Sequence, residues 1–127
     1  MDQGVLGTQG QLSVVATFEA AGDRRVESMG RRKAGEFVLC EEVSGPSALI
    51  SFGADARRME VVVKDENSRA LLKALKALYP VTSVAEYLQQ EDTDLLDLMD
   101  LCDREEIPYG YSCIDSNEDG WVRPACA

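Results

Sequence analysis

The spacing of the apolar residues changes after Lys64, from the two-residue period of a strand to the period of a helix. Before that point, runs such as QLSVVATFE at 11–19 alternate between an apolar side and a wetter side. After it, Leu71, Leu75 and Leu78 recur on one face of a helix. A chain that forms its strands first and its helices afterwards is expected to fold as an α+β protein.

The strand-forming part, residues 11–64, predicts an antiparallel meander of four or five strands. Turn signals such as AGD at 21–23 and SGP at 44–46 separate its apolar runs. The expected strands cover 11–19, 24–29, 36–43, 47–53 and 58–64. Residues 1–10 are expected to be weakly ordered or disordered.

Helices are expected in residues 66–107. The first helix ends at Pro80, because proline cannot continue a helix. The second follows Ser83 and Glu86, which have the spacing of a capping box. The third ends at Pro108.

The tail, residues 109–124, is expected to form a hairpin of two short strands. The chain, 1–127, is therefore predicted to be a single domain of α+β class. Its antiparallel sheet has four to six strands, from the N-terminal meander and the C-terminal hairpin, and two or three helices pack on one face.

The composition is that of an ordinary globular protein, because 45% of the 127 residues are apolar and 28% are charged. The first ten residues have neither a basic nor an apolar signal region, and no apolar run is long enough to span a bilayer. We therefore expect a cytoplasmic protein that does not bind membranes.

Four cysteines, which form no CxxC pair, are expected to be free thiols in a reducing compartment: Cys40, Cys102, Cys113 and Cys126. Cys113 and Cys126 flank the predicted hairpin, so a disulfide between them stays open as an alternative. Histidine is absent, which removes Ser-His-Asp and Cys-His catalysis and most catalytic zinc sites. No coherent catalytic constellation or cofactor site is expected from the remaining residues.

The net charge of −10 is concentrated in the second half of the chain. Residues 1–64 hold 9 acidic and 8 basic side chains, whereas residues 65–127 hold 14 acidic and 5 basic ones. This charge argues against direct binding to nucleic acid or to an anionic membrane surface. A basic protein partner is expected instead.

The third predicted helix has an acidic face. A projection at 100° per residue places Asp94, Asp97, Asp100 and Asp103 opposite the apolar side of this helix. Carboxylates at this spacing repel one another, and no basic residue occurs between Lys76 and Arg104, so we expect a role other than helix stability. The predicted partner-binding residues are Glu91, Asp92, Asp94, Asp97, Asp100 and Asp103. The alternative is a solvated face that keeps an acidic protein soluble.

The sequence contains two further patterns, a partial calcium loop and a basic cluster. The segment at 115–120 matches the first half of a calcium loop, with Asp115, Asn117 and Asp119 at ligand spacing. The position that requires a bidentate Glu is Cys126, so we interpret the segment as a hairpin turn and expect no metal.

The basic residues near the second strand could form a patch for phosphate or an acidic partner, or could simply make a hairpin end polar: Arg24, Arg25, Arg31, Arg32 and Lys33. Together with the acidic face, such a patch would allow head-to-tail association into a homo-oligomer.

The sequence therefore favours a small acidic protein-binding module, for instance an inhibitor or immunity-type protein that presents its acidic helix face to a basic partner. A secretion or assembly chaperone, which grips clients through a sheet edge or an apolar groove, is the alternative. An enzyme based on carboxylates is the second alternative.

Overall fold

A computed structural model describes residues 12–32, 35–115 and 120–123 of the chain. Its strands are β1 Leu12–Ala20, β2 Asp23–Arg32, β3 Glu36–Ser44, β4 Ala56–Lys64, β5 Gly110–Asp115 and β6 Gly120–Arg123. Its helices are α1 Pro46–Phe52, α2 Asp65–Leu78, α3 Val84–Leu88 and α4 Leu95–Glu105. The expectation for residues 1–10 falls outside the described residues.

The six strands form one antiparallel sheet in the order β1-β2-β3-β4-β5-β6, so each strand pairs with its neighbours in the sequence. The predicted α+β class, the N-terminal meander and the C-terminal hairpin at the sheet edge are thereby confirmed. The meander has four strands, and the weak segment at 24–29 is the centre of the ten-residue strand β2.

The prediction of a strand at 47–53 is wrong, because this run forms helix α1. Pro46 supplies the φ that the first turn of a helix needs, and Gly53 ends the helix in the left-handed conformation. The carboxylate of Asp23 accepts hydrogen bonds from the backbone N–H and the hydroxyl of Ser47. A short apolar run has no decisive period, so the flanking proline and glycine were the better signal.

The hydrophobic core lies between one face of the sheet and helices α2, α3 and α4. Strands β3 and β4 contribute Leu39, Val61 and Val63, which are fully buried. Alternation along each strand places these side chains on the same face. From the helices, the fully buried side chains of the core are Leu71, Leu75, Tyr87, Leu95, Leu98, Met99 and Cys102.

Helix α3 begins as its sequence predicted. The Ser83 hydroxyl accepts the backbone N–H of Glu86, and the Glu86 carboxylate accepts the backbone N–H of Thr82 at 2.7 Å. The hydroxyl of buried Tyr87 donates to the carbonyl of Asp94 at 2.7 Å, which ties α3 to the start of α4. Among the described residues, no helix has the length and apolar character needed to cross a membrane.

Gly45 allows the chain to turn from β3 into α1. Its φ of 117° belongs to a region that only glycine enters readily, and an added Cβ would lie 2.6 Å from the Gly22 carbonyl oxygen. We expect Gly45→Ala to lower the free energy of unfolding by about 3 kcal/mol or more in urea denaturation.

Gly53→Ala is the matched control. Gly53 also has a positive φ, but an added Cβ would contact nothing within 4 Å. This variant should lose only about 1 kcal/mol, the cost of a left-handed residue that carries a side chain. Equal losses in the two variants would contradict the close approach of the Gly22 carbonyl oxygen to Gly45.

Candidate functional site

The N-terminus of α4 is closed by two of the predicted partner-binding residues. The Asp94 carboxylate accepts the backbone N–H of Asp97 at 3.0 Å, and the Asp97 carboxylate accepts the backbone N–H of Asp94 at 3.2 Å. This is a capping box, which satisfies N–H groups that a helix start leaves free. Asp94 and Asp97 therefore stabilise the start of the helix, a role that the sequence analysis did not expect of them. Their part in partner binding stays a prediction.

A third predicted residue also has a structural contact. The Asp103 carboxylate accepts a hydrogen bond of 2.8 Å from the hydroxyl of Tyr109, which is buried after the end of α4. Partial desolvation, and then the carboxylate of Asp94, raise the pKa of Asp97. The acidic residues of α4 thus differ in environment although they look alike in the sequence.

The remaining predicted residues are exposed and lie on α4 or in the turn before it. Glu91, Asp92 and Asp100 take part in none of the ion pairs found among the described residues. Leu96, which precedes Asp100 by one helical turn, is 44% exposed. We call the side chains of Glu91, Asp92, Leu96, Asp97 and Asp100 the acidic surface.

Arg25 holds the turn that carries Glu91 and Asp92. Its guanidinium donates to the carbonyl oxygens of Thr93 at 2.8 Å, Glu91 at 2.9 Å and Gln90 at 3.3 Å. Its carbon Cζ lies 4.5 Å from the centre of the Phe18 ring, a cation–π contact. Because the planar guanidinium serves several carbonyl groups at once, it fixes the turn against β2.

Two carboxyl groups are buried beneath this turn, at positions that face each other across β2 and β3. Glu27 is 1% exposed and Glu41 is 3% exposed. One oxygen of Glu41 accepts the backbone N–H of Leu95 at 3.1 Å, so Glu41 contacts the first turn of α4. Burial, followed by the neighbouring Glu41 carboxyl, raises the pKa of Glu27 to about 10.

This buried pair was missed by the sequence interpretation. The alternation of β3 places Glu41 on the same side as Phe37 and Leu39, which was a usable signal. Nothing in the local pattern of β2 distinguishes Glu27 from an exposed strand residue. Its burial depends on the register with β3 and on the position of the turn before α4.

The predicted basic cluster is divided between the two ends of β2. Arg24 forms an ion pair with Glu19, whereas Arg31 pairs with Asp65 at the start of α2. Arg24 and Arg31 are seven positions apart, which corresponds to about 23 Å of strand, so these side chains do not form one compact patch. Lys33 lies outside the described residues.

The cysteines show no disulfide in the part of the chain that the structure describes. Cys40, Cys102 and Cys113 are free and buried, and burial raises the pKa of the Cys40 thiol to about 12. The sulfur of Cys113 accepts a hydrogen bond of 2.9 Å from the Nε of Arg57. Cys126, the proposed partner of Cys113, lies outside the described residues.

The calcium-loop pattern also extends beyond what is described. Asp115 ends strand β5, and Asn117 and Asp119 are outside the described residues. Within residues 12–32, 35–115 and 120–123, no three potential metal ligands cluster. The hairpin itself is present, since β5 and β6 pair in antiparallel fashion.

A cavity of about 330 Å³ opens between the β1–β2 turn, helix α1 and the turn before α4. Phe18, Val43 and Ala48 form an apolar part of its wall, and Arg24 and Glu91 contribute charged groups. If the protein is a chaperone, this cavity is the apolar groove that would bind a side chain of the client.

Known proteins give no family for this chain. No family model matches it. No curated protein and no solved structure matches it either. Function must therefore be inferred from the acidic surface itself and from the Arg25 contacts that position it.

Because Asp97 belongs to the capping box and Asp100 does not, their replacement should have different effects on the free energy of unfolding. We expect Asp97→Ala to lower the free energy of unfolding by about 1 kcal/mol, because the N–H of Asp94 loses its acceptor. Asp100→Ala should change it by less than about 0.5 kcal/mol, since the exposed side chain forms no ion pair with any residue that the structure describes. Thermal and urea unfolding of both variants would measure this, and equal losses would contradict the assignment.

Proposed function

We propose that this protein is a protein-binding module whose acidic surface receives a basic partner, as in an inhibitor or immunity-type protein. The observation that carries the proposal is the exposure of Glu91, Asp92 and Asp100 without ion pairs among the described residues. Charges on both partners accelerate their encounter and select against wrong partners.

Leu96 adds an apolar contact to this surface. It is 44% exposed and lies one helical turn from Asp100 and next to Asp97. Interfaces commonly combine an apolar centre with a polar rim, because the rim excludes water from the contact that contributes most. We therefore propose that the partner presents basic side chains around an apolar one.

The cytoplasm is the compartment in which we propose that the protein acts. Cys40, Cys102 and Cys113 are free thiols among the described residues, and free buried thiols persist where the cell keeps them reduced.

A second candidate function is that of an assembly or secretion chaperone. Helix α1, which lines the apolar cavity through Ser47, Ala48 and Ser51, also exposes two apolar side chains, since Ile50 is 84% exposed and Leu49 is 54% exposed. Exposed apolar side chains of this kind favour binding to an apolar client segment. Such a complex depends little on salt, whereas a complex formed by the acidic surface weakens as salt rises.

Charge reversal tests the proposed function. Asp100→Lys should weaken capture of the basic partner about tenfold, which corresponds to about 1.4 kcal/mol, because a like charge then faces the partner. Asp97 is unsuitable for this purpose because its carboxylate belongs to the capping box. Glu66→Lys is the matched control, since it makes the same charge change at an exposed site on α2.

The measurement is a low-salt pull-down from the cells that produce the protein, eluted by a salt step, with wild type and each variant immobilised. We expect the same protein to be captured by wild type and by Glu66→Lys, and to be reduced with Asp100→Lys. Undiminished capture by Asp100→Lys would contradict the proposal. Capture that resists salt and is lost with Ile50→Lys would favour the chaperone instead.

A further inference from the structure

The buried pair of Glu27 and Glu41 has no role in the proposed partner binding, but its surroundings constrain its protonation. The two residues face each other across β2 and β3, and both are almost fully buried. Two carboxylates at such a site cannot both remain ionised without a large energetic cost. The pair should therefore retain a proton when the protein is folded.

Hydrogen bonding distinguishes the two carboxyl groups. Glu41 accepts the backbone N–H of Leu95 at 3.1 Å. Neither side-chain oxygen of Glu27 accepts a hydrogen bond from a donor among the described residues, whereas a protonated Glu27 has the Glu41 carboxyl group beside it as an acceptor. The Nε of Arg25 lies 3.4 Å from one oxygen of Glu27, but this guanidinium also donates to the carbonyls of the turn. The proton therefore belongs to Glu27.

Other groups around Glu27 do not change this assignment. From α4, the negative charge of Asp94 acts on Glu27 in the same direction as Glu41. Helix α3 contributes Tyr87, which donates its hydroxyl hydrogen to the Asp94 carbonyl. The register places Ala16 of β1 opposite Glu27 and Met59 of β4 opposite Glu41, and neither can titrate. Arg25 is the one cation facing the pair from the described elements packed against it.

We propose that the Glu27–Glu41 pair is a proton-dependent latch, which holds the turn from Gln90 to Asp94 and the start of α4 on the sheet while Glu27 is protonated. When a base in the solvent removes the proton, the O–H bond of the Glu27 carboxyl group is the one covalent bond that breaks, and two buried carboxylates remain. Strands β2 and β3 are held together by their hydrogen-bonded ladder. The turn, held by Arg25, by the Leu95 N–H and by the Tyr87 hydroxyl, is the part that moves to admit water.

The direction of the pH dependence follows from the protonation states. Folding raises the pKa of Glu27 from 4.5 to about 10, so the folded latch binds a proton that the opened latch releases. The stabilisation from the latch is complete below pH 4.5 and is lost progressively as the pH rises toward 10. Between these values, the equilibrium constant for opening should rise about tenfold per pH unit.

The amide of Leu95 is the natural reporter, because its hydrogen bond to Glu41 closes the latch. Its hydrogen-exchange protection, corrected for the intrinsic dependence of exchange on base, should fall about tenfold per pH unit between pH 6 and pH 8 in the wild-type protein. In Glu27→Gln the protection should not depend on pH, because the neutral amide has no proton to lose. Glu42→Gln is the matched control, because Glu42 is the exposed neighbour of Glu41 in the sequence. In this variant, the protection of the Leu95 amide should depend on pH as it does in the wild-type protein.

The carboxyl carbon resonance of Glu27 in the wild-type protein provides a second measurement that requires no variant to fold. It should report a protonated carboxyl group at pH 7. An ionised Glu27 at pH 7 would overturn the latch, and so would equal pH dependence of Leu95 protection in wild type and in Glu27→Gln. Neither measurement involves a partner, so the latch and the proposed function can fail separately.

Discussion

The contacts of Arg25 with the turn before α4 are the interaction on which the placement of the acidic surface depends. This one guanidinium donates to carbonyl groups of Gln90, Glu91 and Thr93, and it also lies against Phe18 and beside Glu27. The turn contributes little apolar burial of its own, since Glu91 and Asp92 are exposed. Its position therefore depends on polar contacts with the sheet, whereas the capping box of Asp94 and Asp97 marks where α4 begins.

In the same region, several of the acidic residues have a structural role. Asp94 and Asp97 satisfy the helix start, and Asp103 accepts the Tyr109 hydroxyl, so their charge has a structural reason. Asp92 and Asp100 form no ion pair among the described residues, and Leu96 is exposed beside them. The proposed partner-binding surface is consequently smaller than the row of carboxylates in the sequence, and it consists of fewer side chains.

Most of the fold could be predicted from periodicity and turn chemistry. Alternating runs predict β1, β3 and β4, and the leucine spacing predicts α2. These predictions succeed because the local spacing of apolar residues indicates which face of an element is buried. Helix α1 was missed because a seven-residue apolar run fits a strand equally well, and its proline and glycine were decisive. The capping box of α4 was also visible in the spacing of Asp94 and Asp97, but it was interpreted as repulsion.

The buried part of the site could not be predicted in the same way. Glu27 becomes buried only when β3 pairs in its observed register and the turn before α4 closes over it. Arg25 likewise acts on carbonyl groups more than sixty residues away in the sequence. Such contacts arise from tertiary structure, and a single sequence contains no local pattern for them.

Hydrogen–deuterium exchange of an Arg25→Met variant measures whether Arg25 holds the turn before α4, because methionine keeps much of the apolar stem and removes the donors. The amides of residues 90–95 should lose protection while those of β3 and β4 keep theirs. Unchanged protection in residues 90–95, or a loss spread evenly over the sheet, would show that Arg25 does not hold this turn in place.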